Sequence, residues 1–70
     1  MKVDTKIIIS KRELKILELV AKGHTSEKIG ELLTIAKSTV QTHRRNMLRK
    51  TKFMNTQQLV AWAIREGVVK

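Results

Sequence analysis

The 70-residue chain is long enough for one small domain with a modest core, and it has no cysteine to strengthen that core with a disulfide. Its 15 lysines and arginines outnumber 6 acidic residues, so the formal net charge is +9 and the expected partner is a polyanion. No apolar run approaches the roughly 20 residues of a membrane-spanning helix, and the first ten residues lack the apolar stretch of a signal peptide. We therefore expect a cytoplasmic protein without a membrane partner.

The positive charge is unevenly placed along the chain. Between Glu31 and Glu66 the sequence has no acidic residue but seven lysines and arginines. Such a block favours contact with a nucleic acid, although a solvated basic surface is the simpler alternative.

Residues 1–9 show no helical pattern. Val3 and the isoleucines at 7–9 fit either a short extended segment on the core or the end of a linker from another domain. We assign residues 1–9 as an N-terminal extension or linker and residues 10–70 as the domain, which is either a complete small protein or part of a longer one.

The first helix is predicted to begin at Ser10. The pattern Ser-Lys-Arg-Glu is a capping box, in which Ser10 and Glu13 each accept the other's backbone amide proton. Gly23 is placed where a helix ends in the left-handed conformation. The predicted buried face, with Ile16 beside it, consists of Leu14, Leu17, Val20 and Ala21.

A second, shorter helix follows, capped by Thr25 or Ser26. Gly30 lies inside it at a cost of roughly 1 kcal/mol in helix propensity. The glycine either admits another backbone very close to the helix or is merely tolerated. The predicted buried stripe is Ile29, Leu32 and Leu33.

Residues 34–36 are long enough only for a tight turn, after which a basic helix is predicted over about residues 37–50. Two short helices around such a turn describe a helix-turn-helix. At helical spacing, Val40 and Met47 share one side of the basic helix, together with His43, Arg44 and Thr51. The other side carries polar groups that bond to base edges and phosphates, from Ser38, Gln41, Thr42, Arg45 and Arg49.

The last helix is predicted to begin at Asn55, with Gln58 completing a second capping box. Residues 59–64 are all apolar, so this helix needs burial on more than one side. Leu59, Ala63 and an edge of Trp62 are expected to pack on the domain. Gly67 stops the helix, and residues 68–69 are expected to fold back on the core. The surplus face, which then needs a second partner, consists of Gln57, Val60, Ala61 and Ile64.

An enzyme is not indicated. His24 and His43 have no metal-ligand spacing, and the sequence has no glycine-rich phosphate loop and no nucleophile with a plausible base. We expect no metal ion and no cofactor. Met47 and Met54 are interpreted as core residues.

The ordered motifs from Ser10 to Val69 resemble the LuxR/GerE-type (NarL-like) helix-turn-helix DNA-binding domain of bacterial transcription regulators. The resemblance implies an all-α fold of four helices, with double-stranded DNA as the partner and the last helix at the dimer interface. The motifs are Arg12-Glu13, Gly23, Ile29-Gly30, Thr39-Val40-Gln41-Thr42-His43, Asn46-Met47 and Asn55-Thr56.

Five positions depart from the family pattern. Gly30 replaces a small alanine, and Ala36 replaces the serine that caps the recognition helix, whose start is therefore expected to be less stable. Gln41 replaces a common lysine and offers an amide suited to adenine. Thr51 replaces a core leucine, and Thr56 replaces an arginine that helps to fix the local structure.

The resemblance also implies the contact residues. Its base-contacting positions fall on Gln41, Thr42 and Arg45. Its backbone-contacting positions fall on Thr25, Lys28, Ser38, Thr39 and Arg49.

Two other kinds of partner remain open. A basic helical module that docks an acidic protein surface, for example on RNA polymerase, is the alternative to DNA binding. The polar recognition face favours DNA, since a protein groove takes an apolar face. RNA binding is less favoured, because one tryptophan and one phenylalanine offer little stacking surface for bases.

Overall fold

The computed structural model describes residues 9–69, and within this range the chain forms four helices and no strand. The helices are α1 (Lys11–Ala21), α2 (Ser26–Leu33), α3 (Lys37–Thr51) and α4 (Thr56–Arg65). The predicted all-α class and all four helices are confirmed. The expectation for residues 1–8 lies outside the described residues, while Ile9 is buried in the core.

The capping box of α1 forms as predicted. Ser10 Oγ accepts from the Glu13 amide at 3.1 Å, and the Ser10 amide donates to Glu13 Oε1 at 3.0 Å. The chain leaves α1 through Gly23, whose φ of +94° is readily adopted only without a side chain. Local sequence therefore sets both ends of this helix.

The buried face of α1 is rotated from the predicted one. Ile16, Leu17 and Leu19 are buried, whereas Leu14 is only half-buried, as are Val20 and Ala21. The reason is Glu13, which is itself buried because Lys50 of α3 reaches its carboxylate. A prediction made from apolar residues alone leaves out a buried acid such as Glu13. The predicted buried face of α1 is therefore centred too far from Ile16.

In α2 the predicted stripe is partly wrong. Ile29 is buried and Leu33 half-buried, but 49% of Leu32 is exposed. The packed side of this eight-residue helix is centred on the small residues Ser26 and Gly30, so Leu32 falls beyond its edge. The cap is Thr25, whose Oγ1 accepts from the Lys28 amide at 3.1 Å.

The turn between α2 and α3 closes tightly on Gly30. Thr34 adopts the left-handed conformation, with φ of +59°, and the Ile35 amide then donates to the Gly30 carbonyl at 2.9 Å. A Cβ atom on Gly30 would lie only 2.7 Å from the Ile35 carbonyl oxygen. The close approach of another backbone therefore accounts for a glycine inside this helix.

All four helices contribute to the core, α2 through Ile29. Val40 and Met47 of α3 have no exposed surface, and the expected side of α4, formed by Leu59, Trp62 and Ala63, is buried against the domain. Thr51 is half-buried, and its hydroxyl donates to the Met47 carbonyl oxygen of its own helix at 2.7 Å. No helix within residues 9–69 is both long enough and apolar enough to cross a bilayer.

Two predictions about the entry to α4 are wrong. Met54 is 83% exposed and not a core residue. The cap is only half of a capping box: Asn55 Oδ1 accepts from the Gln58 amide, but Gln58 Oε1 accepts from the Met54 amide and not from Asn55. Bonding to residue 54 holds the segment before the helix while the Met54 side chain stays outside.

The end of α4 follows the prediction. Gly67 has φ of +72° and reverses the chain, and Val69 is then buried. The Val68 and Val69 amides both donate to the Ala63 carbonyl, at 2.8 and 3.3 Å. The last residues that the structure describes therefore complete the core.

An ion pair joins the start of α1 to the end of α3. Lys50 Nζ donates to Glu13 Oε1, whose side chain is 5% exposed. Burial by itself raises the pKa of Glu13, but the hydrogen bonds from Lys50 and Ser10 and the charge of Lys50 outweigh it, so the pKa lies below its ordinary 4.5. The ion pair therefore stabilises the folded protein when Glu13 is ionised.

Replacing Gly30 by valine is expected to destabilise the domain, although valine is the better helix former. The added atoms meet backbone at Ile35, so the turn has to open, at a cost of about 1–3 kcal/mol in the free energy of unfolding. Chemical denaturation measures this cost. Glu31→Val, at the exposed neighbouring position, is the matched control, and equal losses in both variants would contradict the close packing at Gly30.

Lys50→Met is expected to lower the free energy of unfolding at neutral pH by about 1–3 kcal/mol, because it leaves the buried Glu13 carboxylate without its charged partner. Because the pKa of Glu13 is lowered in the folded protein, the ion pair makes its full contribution to stability above pH 4.5, the ordinary pKa of the carboxyl group. The contribution is lost as the pH falls through the lower pKa of the folded state. Denaturation at several pH values should show the wild type and the variant converging in acid. Lys15→Met, at an exposed position of α1, should differ from the wild type by the same amount at every pH. A gap for Lys50→Met that stays constant would contradict the role of the pair.

Candidate nucleic-acid interface

Helix α3 begins without a side-chain cap. Ala36 occupies the cap position and makes no side-chain hydrogen bond, as expected for an alanine there, and the helix runs 15 residues from Lys37 to Thr51. The helix is held instead by tertiary packing, through the buried side chains of Val40 and Met47. These two anchors determine which side of α3 faces outward.

The outward side of α3 is the polar side that the sequence predicts. Every candidate contact residue on α2 and α3 is exposed. Helix α3 contains five lysines and arginines and no acidic residue. The exposed candidates are Thr25, Lys28, Ser38, Thr39, Gln41, Thr42, Arg45 and Arg49.

Three of these side chains have partners within the domain, and the bond that Thr25 accepts as the cap of α2 is described above. The Thr42 hydroxyl donates to the Ser38 carbonyl oxygen at 3.0 Å, so it presents its methyl group and an acceptor lone pair outward. Lys28 Nζ lies 4.0 Å from Glu31 Oε1, with both side chains more than half exposed. An exposed pair at this distance contributes little and leaves Lys28 able to contact another anion.

Arg44 has a role that the sequence did not indicate. Its guanidinium donates through one terminal nitrogen to Ser26 Oγ at 2.6 Å and through the other to Thr56 Oγ1 at 3.1 Å. The departure from the family pattern at Thr56 thus supplies an acceptor for an arginine of α3. No local pattern signals these bonds, because the partners lie 18 and 12 positions away.

A cleft of about 370 Å³ separates the start of α4 from the outward side of α3. The base-contacting candidates Gln41 and Arg45 line it, as do Arg44 and Thr56. The outward side of α3 and the first turn of α4 therefore border the same depression.

The outer side of α4 has apolar groups available for contact. Gln57, Ala61 and Ile64 are exposed, and 55% of the Ile64 surface is accessible. Val60 differs from the other three because it is half-buried and packs against the core. The predicted dimer interface therefore consists of three accessible residues and one that is shared with the domain.

Comparisons with known proteins agree with this geometry. Residues 8–63 match the family of bacterial regulatory proteins described as the luxR family. The oxygen regulatory protein NreC of Staphylococcus carnosus is 37% identical over 62 residues, which are 89% of this chain and 29% of NreC. The uncharacterized transcriptional regulatory protein YxjL of Bacillus subtilis is 41% identical over 61 residues, which are 87% of this chain and 28% of YxjL.

The fold is also that of a solved structure. The crystal structure of Escherichia coli SdiA matches with a TM-score of 0.87 and 35% identity, over 97% of this chain and 28% of SdiA. The chain thus spans less than a third of the length of these relatives.

Fold and sequence together define a helix-turn-helix domain of the class of DNA-binding transcription regulators, which are not enzymes. The chain belongs to the luxR family of bacterial regulatory proteins.

Proposed function

We propose that this domain binds double-stranded DNA with sequence specificity by placing α3 in the major groove. The observation that supports this most is the division of α3 into a buried apolar side, anchored by Val40 and Met47, and an exposed side without acidic residues. A helix presented in this way has the size and the donor groups that the major groove accepts.

Three side chains near the middle of α3 are the proposed base readers. The Arg45 guanidinium matches the two acceptors of guanine, and the Gln41 amide matches the acceptor and donor of adenine. Because the hydroxyl proton of Thr42 is used within the helix, Thr42 is suited to a thymine methyl group or to the amino group of cytosine. A good bidentate contact discriminates between bases by about 1–3 kcal/mol.

The flanking residues are the proposed contacts to the sugar-phosphate backbone. Thr25 uses its oxygen as an acceptor for the cap of α2, so its hydroxyl proton is available to a phosphate. Lys28 and Arg49 add positive charge at either end of the motif. With Ser38 and Thr39, these groups position α3 and make the affinity dependent on salt.

We further propose that two copies pair through Gln57, Val60, Ala61 and Ile64 when they are bound to DNA. One domain of this size makes few base contacts, and pairing doubles them on two half-sites about one helical turn apart. The exposed surface of Ile64 beside Ala61 supplies the apolar area for this contact. RNA polymerase is a second possible protein partner, for which α3 offers no apolar face.

Arg45→Ala is expected to abolish the preference for the operator over random DNA while leaving weak binding at low salt. The operator is first selected from a random duplex pool, and both affinities are then measured by fluorescence anisotropy. Arg12→Ala removes the same charge from an exposed position of α1 and should keep the preference. An Arg45→Ala protein that still selects its operator would contradict the role of Arg45.

Ile64→Glu is expected to weaken binding to a two-half-site operator by at least tenfold through lost cooperativity, with little change on a single half-site. Because Ile64 is more than half exposed, the substitution should not unfold the domain, and thermal denaturation checks this. Ile64→Lys is the matched variant, since it disrupts an apolar contact equally but brings the opposite charge. If only the glutamate variant is weakened, repulsion from DNA explains the loss and the dimer proposal is wrong.

A further inference from the structure

The side chain of Arg44 connects three helices. It belongs to α3, and its two acceptors, Ser26 and Thr56, are the first residues of α2 and α4. One guanidinium therefore links the recognition helix to the helix before it and to the helix after it.

The surroundings of the two hydrogen bonds of Arg44 favour a fixed geometry. Arg44 is half-buried and Ser26 is 6% exposed, so water competes with the bonds less than at the surface. Both acceptors are neutral hydroxyls, and the planar fork of the guanidinium fixes the direction of each bond. Such a contact constrains orientation more than an exposed ion pair does.

Helix α4 depends on this constraint more than α2 does. The position of α2 relative to α3 is already set by the tight turn that closes on Gly30. Helix α4 follows a non-helical segment that begins at Lys52 in the left-handed conformation, and its packing through Leu59 and Trp62 is apolar. This burial fixes the rotation of α4 about its own axis, but it is less directional than hydrogen bonds and therefore defines the tilt of α4 less closely.

We propose that Arg44 is a positioning residue, which fixes the direction of α4 relative to α3 and so sets the half-site spacing that a DNA-bound pair reads. This inference rests on the proposed function, because the spacing matters only if α4 pairs two copies. Arg44 touches no base in this role. It acts through Thr56, at the end of α4 that borders the cleft beside Arg45.

The first test needs no DNA. The chain has no cysteine, so Lys37→Cys and Arg65→Cys give unique sites for a nitroxide pair on α3 and α4, both at exposed positions. Electron paramagnetic resonance then measures the distribution of distances between the labels. Thr56→Val, which removes the hydroxyl at nearly constant shape, should broaden or shift this distribution. Thr56→Ser, which keeps the hydroxyl, should reproduce the parent distribution, and an unchanged distribution in Thr56→Val would overturn the inference.

The second test uses duplexes with two half-sites whose separation is varied one base pair at a time. In unlabelled protein, Thr56→Val should reduce the preference for the best spacing by on the order of fivefold, the equivalent of one hydrogen bond, while single half-site affinity changes less than twofold. Thr56→Ser should keep the preference. An equal loss of affinity on single half-sites would show that Arg44 supports α3 in general, and it would overturn the inference.

Two further outcomes separate this inference from the proposed function. If Arg44→Met lowers the salt dependence by about one phosphate contact and Thr56→Val does not alter the spacing preference, Arg44 contacts DNA directly and the positioning role is wrong. If the wild type shows no spacing preference at all, the dimer proposal is wrong, and so is the claim that Arg44 sets the half-site spacing. The distance measurement still decides whether Arg44 orients α4.

Discussion

The burial of Val40 and Met47 is the constraint on which the rest of the structure depends. Both side chains are fully buried, and they lie about two turns apart on one side of α3. A rotation of the helix about its axis would expose them or open cavities in the core, so the helix has one allowed orientation. The opposite side of α3 faces outward because of these anchors. Its residues are not needed for packing and are therefore available for contact with a partner.

The basic residues of α3 serve two different purposes, which the net charge does not distinguish. Lys50 bonds to the buried Glu13, and Arg44 bonds to two hydroxyls, so both hold helices together. Arg45 and Arg49 are exposed and make no hydrogen bond to the part of the chain that the structure describes. A block of positive charge therefore overstates the number of side chains that are available to a polyanion.

The features predicted well from the sequence are those with local causes. The capping box at Ser10, the cap at Thr25 and the reversals at Gly23 and Gly67 each depend on a few neighbouring residues, and all are present. The resemblance to a known family added the order of the helices and their arrangement as a helix-turn-helix. These signals were sufficient for the fold class and for the exposed polar side of α3.

The errors concern features that depend on distant partners. Leu32 and Met54 are apolar, but nothing in their neighbourhood shows that the packed area ends before it reaches them. Glu13 is acidic, but a lysine 37 positions away makes its burial favourable. Helical periodicity identifies residues that share a side, not the width of the contact or the partner across it. The same limit explains why the bonds of Arg44 to Ser26 and Thr56 could not be predicted.

The outer side of α4 illustrates how a small domain uses its few apolar residues. Val60 packs partly on the core while Ile64, one turn later, is mostly exposed, so one side of the helix serves the fold at one position and is accessible at the next. Covering Ile64 in a pair would add apolar burial that the single chain lacks, and by mass action the bound state would stabilise the fold. In the proposed pair, folding and pairing would be coupled through Val60, whereas Ala61 and Ile64 would affect pairing alone.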